Sequence, residues 1–94
     1  MFNPDQYKNV FQPIKIRDLV LKNRLQFSPH VNPMTTYNGC VTDNYVNYLD
    51  MQAATGVGLV TIGATSVDHD TGEDFAGELD ITDDHKMIDL ARLP

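Results

Sequence analysis

Ile14 and Ile16 alternate with polar neighbours, as do Leu19 and Leu21, and Arg17-Asp18 stands between the two runs. Period-two alternation on both sides of a short polar break predicts a β-hairpin. The break lacks the glycine that tight primed turns prefer, so the turn is weak by residue type. In "RLQFSP", Leu25 and Phe27 share one face of a second strand segment, and Pro29 stops its ladder. "HVNPMTTYNGC" shows no period, and Pro33 and Asn38-Gly39 mark it as loop. "TDNYVNYLDMQAATG" has helical spacing: Thr42 serves as N-cap, Asp43 suits the positive end of the dipole, and Gly56 lies just past the end. Val46, Leu49 and Ala53 fall on one face of this helix, enough to cover a sheet.

The run Gly58 to Gly63 is uncharged and does not alternate, which predicts a parallel strand buried on both faces. It then turns small and polar through Gly63, Ala64, Thr65 and Ser66. Strand, helix and strand from Leu25 to Leu59 have the length of one βαβ unit with its right-handed crossover. A polar excursion, "DHDTGEDFAGELDI", leads to "TDDHKMIDLARLP", where Thr82 caps a short helix with Asp83 and Asp84 in its first turn. The order hairpin, β, α, β, α implies a parallel sheet covered by helices. Two parallel strands leave both edges exposed, so the pattern predicts the opening piece of a larger α/β protein.

Composition narrows this little. The 94 residues hold one domain at most, and 41% hydrophobic content is ordinary for a globular chain. A formal charge of -6, with a pI near 4.6, argues against a generic nucleic-acid or anionic-membrane binder, either of which needs basic surface. The single cysteine, Cys40, excludes an internal disulfide, and no apolar run reads as a signal peptide or membrane span. A cytoplasmic protein is the expectation.

In parallel α/β folds ligands gather at the carboxyl ends of strands, here Ser28 to Asn32 and Gly63 to Ser66. Small residues at Gly63 and Ala64 leave room for a flat ligand to touch main chain; equally, they permit tight strand–helix packing. His30 follows Ser-Pro at a strand end, where an imidazole either faces a ligand or lies in a surface loop. "DHDTGED" has a calcium-like start at Asp68 and Asp70, but Gly72 and Leu79 stand where ligands belong. His69 and His85 with Asp68, Asp70, Asp83 and Asp84 lack transition-metal spacing, so no metal is expected. Cys40 has no local basic partner to activate it. Tyr37, Tyr45 and Tyr48 read as packing and rim residues. Neither glycine-rich phosphate motif is present.

"FQPIKIRDLVLKNRLQFSP", "NGCVTDNYVNYLDMQAATGVGLVTIGATSVD" and "ITDDHKMIDLARL", in that order, resemble the start of the Old Yellow Enzyme family of NADH:flavin oxidoreductases. The resemblance runs from about Phe11 to Leu93. It implies an FMN-dependent NAD(P)H oxidoreductase of ene-reductase type, acting on the activated C=C of an enone or enoyl thioester, with NADH or NADPH as hydride donor. It also implies an α/β fold: residues 1–94 would be the N-terminal fragment of an FMN-binding TIM (β/α)8 barrel. Residues 10–23 would form the hairpin that plugs the barrel, and residues 24–94 the first two βα units of an incomplete barrel.

Residue by residue, the resemblance places Ser28 and Pro29 along the flavin ring at the end of barrel strand one. His30 stands where the family usually has Met, and Val31 where it often has Thr or Cys. Ala64 matches the small residue that touches flavin at the end of strand two. Catalytic residues are not identified, since the family's substrate-anchoring groups match nothing in this chain. "TIGATSVD" and "GELDITDD" are similar to the branch of 2,4-dienoyl-CoA reductases and bile-acid-inducible flavin oxidoreductases, whose longer chains add a 4Fe-4S cluster and an FAD-type nucleotide domain. The expected partners are a small-molecule substrate and the remainder of the barrel, with no nucleic acid and no membrane. The alternative is a non-enzymatic truncated barrel module that self-associates, or pairs with another chain, through exposed sheet edges. In either case the fragment alone is expected to be inactive.

Overall fold

The computed structural model describes residues 3–93. A 3-10 turn, Pro4–Tyr7, precedes β1 (Ile14–Ile16) and β2 (Leu19–Leu21), which form the expected antiparallel hairpin with Ile14 opposite Leu21 and Ile16 opposite Leu19. The missing glycine is met by Arg17, which takes φ +53°. That left-handed conformation costs a non-glycine residue roughly 1–2 kcal/mol. One face of the hairpin, Ile14, Ile16 and Leu21, looks toward Leu25 and Leu59 across a cavity of about 150 Å³.

The parallel pair begins beside them. β3 (Gln26–Phe27) lies beside β4 (Leu59–Val60), with Gln26 opposite Leu59 and Phe27 opposite Val60. The amides of Gly58 and Leu59 donate to the Leu25 carbonyl and the amide of Thr61 to that of Phe27, at 2.9, 3.2 and 3.1 Å. The hairpin therefore sits at the N-terminal ends of the strands and leaves their C-terminal ends open. The paired stretch is shorter than the uncharged run predicts, because its main-chain bonds end at Thr61.

α1 (Asp43–Ala54) makes the crossover. Thr42 caps it as predicted, accepting a hydrogen bond from the Tyr45 amide at 3.2 Å, and its hydroxyl donates to the Met34 carbonyl. Gly56, at φ +96°, turns the chain after the helix. The buried face differs from the predicted one. Tyr45 and Leu49 are buried, Val46 is half-buried, and Ala53 is exposed. Ala53 sits with Val57 and Leu59 on an open groove facing Leu19 and Val20, where no further element among the described residues covers it.

The sequence pattern did not predict a second parallel pair, β5 (Thr65–Ser66) beside β6 (Leu79–Asp80). α2 (Asp84–Leu90) follows. Its N-cap is Asp83, not Thr82: the Asp83 carboxylate accepts from the His85 amide at 2.9 Å. The Thr82 amide is taken by Asp80, at 2.7 Å, because a buried carboxylate needs donors. Val41, Tyr45, Leu49 and Leu79 form the core, so the helix and β6 share one apolar centre. Arg92 ties the two helices together through the Asp43 carboxylate and, at 3.4 Å, the Val41 carbonyl.

Among the described residues each sheet is two-stranded, and no helix is long and apolar enough to cross a membrane.

Candidate functional site

The C-terminal ends of β3 and β4 converge. Ser28, Pro29 and His30 continue from β3, and Gly63 and Ala64 lie three and four residues beyond Val60. A Cβ on Gly63 would stand 2.9 Å from the His30 carbonyl carbon and 3.2 Å from the Val31 Cα. Such distances to main chain leave no space for a side chain, so Gly63 allows the two strand ends to touch. The room that the sequence offered to a ligand at Gly63 is filled by protein. The neighbour is the main chain that follows β3, not the helix that strand–helix packing would require.

Ala64 is different. It is exposed, and so are Ser28, Pro29, His30 and Val31. These residues make a small-residue ledge at the open end of the strands, opposite the hairpin. Beyond it, the Asn32 amide has its nitrogen and oxygen shut off from solvent with no hydrogen-bond partner. An unsatisfied buried polar group costs about 1–3 kcal/mol.

α1 supports the ledge from behind. Its first turn carries the buried Tyr45, whose phenol lies near the Gly63 backbone amide. Burial raises the phenol's pKa and that amide opposes the rise, with a smaller upward push from Tyr48. Tyr48, one turn on, sets its ring edge against Phe27 of β3 at 6.2 Å and 75° between planes. Tyr37, by contrast, is 81% exposed and packs on nothing in the core.

Two polar clusters that the sequence did not single out hold the frame. Asn23, buried where the hairpin ends, donates from Nδ2 to the Gly56 carbonyl at 2.7 Å and accepts at Oδ1 from the Leu25 amide at 3.1 Å. It joins the start of β3 to the turn before β4. Asp80, 4% exposed, receives Lys86 Nζ at 2.6 Å, with His69 Nδ1 at 3.3 Å. Burial works against its charged form, but hydrogen bonds from Lys86 and Thr82 outweigh that and hold the carboxyl well below the usual range. Of the weighed metal ligands, then, only His69 reaches a buried carboxylate, and Lys86 shares that oxygen. Among the described residues, no three or more His, Cys, Asp or Glu side chains gather as a metal site would require.

A parallel pair joined by a crossover helix, with a hairpin at the N-terminal ends of its strands, matches part of an α/β barrel. The chain belongs to the NADH:flavin oxidoreductase / NADH oxidase family, whose model matches residues 9–93, as the Old Yellow Enzyme resemblance led us to expect. It is 30% identical to an NADH oxidase of Thermoanaerobacter brockii, over 93% of this chain and 13% of that protein. An N,N-dimethylglycine/sarcosine dehydrogenase of Chromohalobacter salexigens is 35% identical over 61% of this chain and 8% of its own length. A 2-naphthoyl-CoA reductase in complex with 2-naphthoyl-CoA superposes with a TM-score of 0.86 at 28% identity, covering 92% of this chain and 13% of the reductase. A variant of NCR from Zymomonas mobilis has the same fold, with a TM-score of 0.81 at 21% identity over 90% of this chain and 27% of that one. The two solved structures are TIM-barrel proteins, and this chain has the fold of a part of such a barrel. It spans about an eighth or less of the curated relatives it matches.

Proposed function

We propose that residues 1–94 form the opening section of an FMN-binding barrel in a flavin-dependent NAD(P)H oxidoreductase of ene-reductase type. Residues 10–23 act as its plug and 24–94 as its first two βα units. One observation carries this reading: Gly63 lets the two strand ends touch, and Ser28, Pro29, His30 and Ala64 stand exposed along the seam.

These residues fit a flat, partly apolar cofactor. Ala64 adds only a methyl group, and Pro29 has no amide hydrogen to strand beneath a ring. Val31 gives no side-chain hydrogen bond, so this chain's polar contacts come from Ser28, His30 and the main chain. A flavin held there supplies hydride chemistry, passing reducing equivalents from NADH or NADPH to an activated C=C. The chain's own part is to orient the ring.

The relatives favour the longer branch. Identity is 28–30% to the two proteins of which the chain spans 13%, against 21% to the one of which it spans 27%. The chain is nearer in sequence to relatives about twice as long, whose extra length leaves room for the 4Fe-4S and FAD modules of that branch, and one of them, the 2-naphthoyl-CoA reductase, binds an acyl thioester.

A titration tests the ledge. In a polypeptide that joins residues 1–94 to a full barrel, Ala64→Phe fills the ledge and weakens FMN binding at least about tenfold. Unchanged binding with the fold intact refutes this placement. The 94-residue chain alone neither retains FMN nor oxidises NADH, and stoichiometric flavin absorbance in the purified chain would contradict that.

A second reading draws on the outer edges of β3 and β4 and on Leu19 and Val20, both more than half exposed beside a groove of about 550 Å³. It is a non-enzymatic module that self-associates or pairs with another chain. A monomer by light scattering with a sharp melt defeats it.

A further inference from the structure

Gln26 is in β3, and its Nε2 donates to the Thr61 hydroxyl, just past β4, at 2.6 Å. A side-chain bond across the two strands puts both residues on one face of the pair. The other face belongs to α1: Phe27 meets Tyr48, and Val60 and Ile62 pack on the core that the helix shares with β6. Successive side chains of a strand alternate, so Gln26 and Thr61 lie on the face away from the helix. In a (β/α)8 barrel the helices stand outside, and layers of side chains dominated by Val, Ile and Leu fill the interior. Gln26 and Thr61 therefore set a polar rung on the inner face, where apolar residues are the rule.

Two residues cannot complete that rung. Gln26 keeps a second amide hydrogen and its Oε1, and Thr61 keeps its hydroxyl hydrogen. Among the described residues no other side chain takes these up. In the 94-residue chain Gln26 is exposed and water serves them, but a closed barrel shuts water out. We propose that the rung is an interaction surface whose partner is a polar side chain, pointing inward from a further strand of the longer polypeptide and hydrogen-bonded to Gln26. This rests on the barrel reading. The relatives of which this chain spans 13% have the length to supply such a strand. A barrel interior is a packed core and not a pore, so the position falls to a side chain.

Two lengths of chain test the idea. Gln26→Leu changes the folded-to-unfolded ratio of the 94-residue chain less than about threefold, since the residue is at the surface. In the barrel-length polypeptide, loaded with FMN, the same substitution lowers that ratio at least about tenfold, because it strands the partner's polar group. Should that variant not fold, Thr61→Val, which keeps the shape and removes the hydroxyl, is read in the same way. A Gln26→Leu barrel as stable as its parent, or more so, would overturn the proposal. In the unsubstituted barrel, the Gln26 side-chain amide hydrogens exchange at least about tenfold more slowly than in the 94-residue chain. They also show a nuclear Overhauser contact to a polar side chain outside residues 1–94. Slow exchange with contact to water alone would overturn the proposal and keep the barrel. Fast exchange would overturn the inward placement, and the barrel reading with it, so the two failures are told apart.

Discussion

The main chain of His30 occupies the space beside Gly63 that any larger residue would need. One short stretch, Gly63-Ala64, thus has two separate physical causes. Gly63 is small because a neighbouring backbone crosses it. Ala64 is small at an exposed position, where no protein atom forces the choice.

Gly63→Ala therefore drives a methyl group into backbone that cannot rotate away. Overpacking of this kind costs about 1–3 kcal/mol. Urea unfolding should show the midpoint falling by a matching amount, and an Ala64→Ser control should hardly move it. A Gly63→Ala variant as stable as the parent would refute the close approach.

Asn23→Ala removes the joint between the hairpin exit and the turn before β4. The Gly56 carbonyl and Leu25 amide lose their partner in a part-buried setting. A loss of about 1–3 kcal/mol follows. Asn23→Asp keeps the acceptor for Leu25 but has no donor for Gly56, so its thermal melt should fall between the two. Equal melts for all three proteins would remove Asn23 from the frame.

Acid should act through Asp80. Its carboxyl titrates lower in the folded chain than the value of about 3.9 for an unfolded aspartate. The folded state then binds fewer protons, and the stability this contributes is fully present above the unfolded value. It is lost as the pH falls through and below about 4. Asp80→Asn should flatten that part of the stability curve, measured by chemical unfolding at a series of pH values. An unchanged slope would mean that the Lys86 and Thr82 bonds do not hold the carboxylate in solution.

Thr42→Ala deletes the cap of α1 and the anchor to the Met34 carbonyl together. Cap removal costs about 0.5–2 kcal/mol. The effect should be read from far-ultraviolet circular dichroism on heating, where a melt like the parent's would deny the cap its role.

Much of the frame was legible from local pattern. The hairpin register follows from alternation at Ile14, Ile16, Leu19 and Leu21, and the parallel relation of β3 and β4 from strand, helix and strand in one unit length. What stayed hidden required distance information. β5 and β6 are two residues each and include a buried aspartate, so neither apolar period nor β-propensity marks them. Val46 and Leu49 are visible as a helical face, but the burial of Tyr45 over Ala53 depends on which end of the helix is covered. The cap fell to Asp83, whose carboxylate meets the His85 amide, while Asp80 holds the Thr82 amide just before it. At the rim, Ser28, Pro29, His30 and Ala64 could be nominated from strand ends and family likeness. The contact that unites them lies between residues 33 positions apart, and spacing along the chain does not encode it.

The polar excursion leaves from Ser66 and comes back alongside it, where the Ile81 amide donates to the Ser66 carbonyl at 2.9 Å. Both mouths of the excursion are thus fastened to each other before its tip begins. Lengthening such a closed loop is cheap, about 0.6 kcal/mol per doubling. The exposed turn at Asp70 to Gly72 is accordingly a port for an inserted peptide or reporter label, one that would report on the rim without pulling its two staves apart.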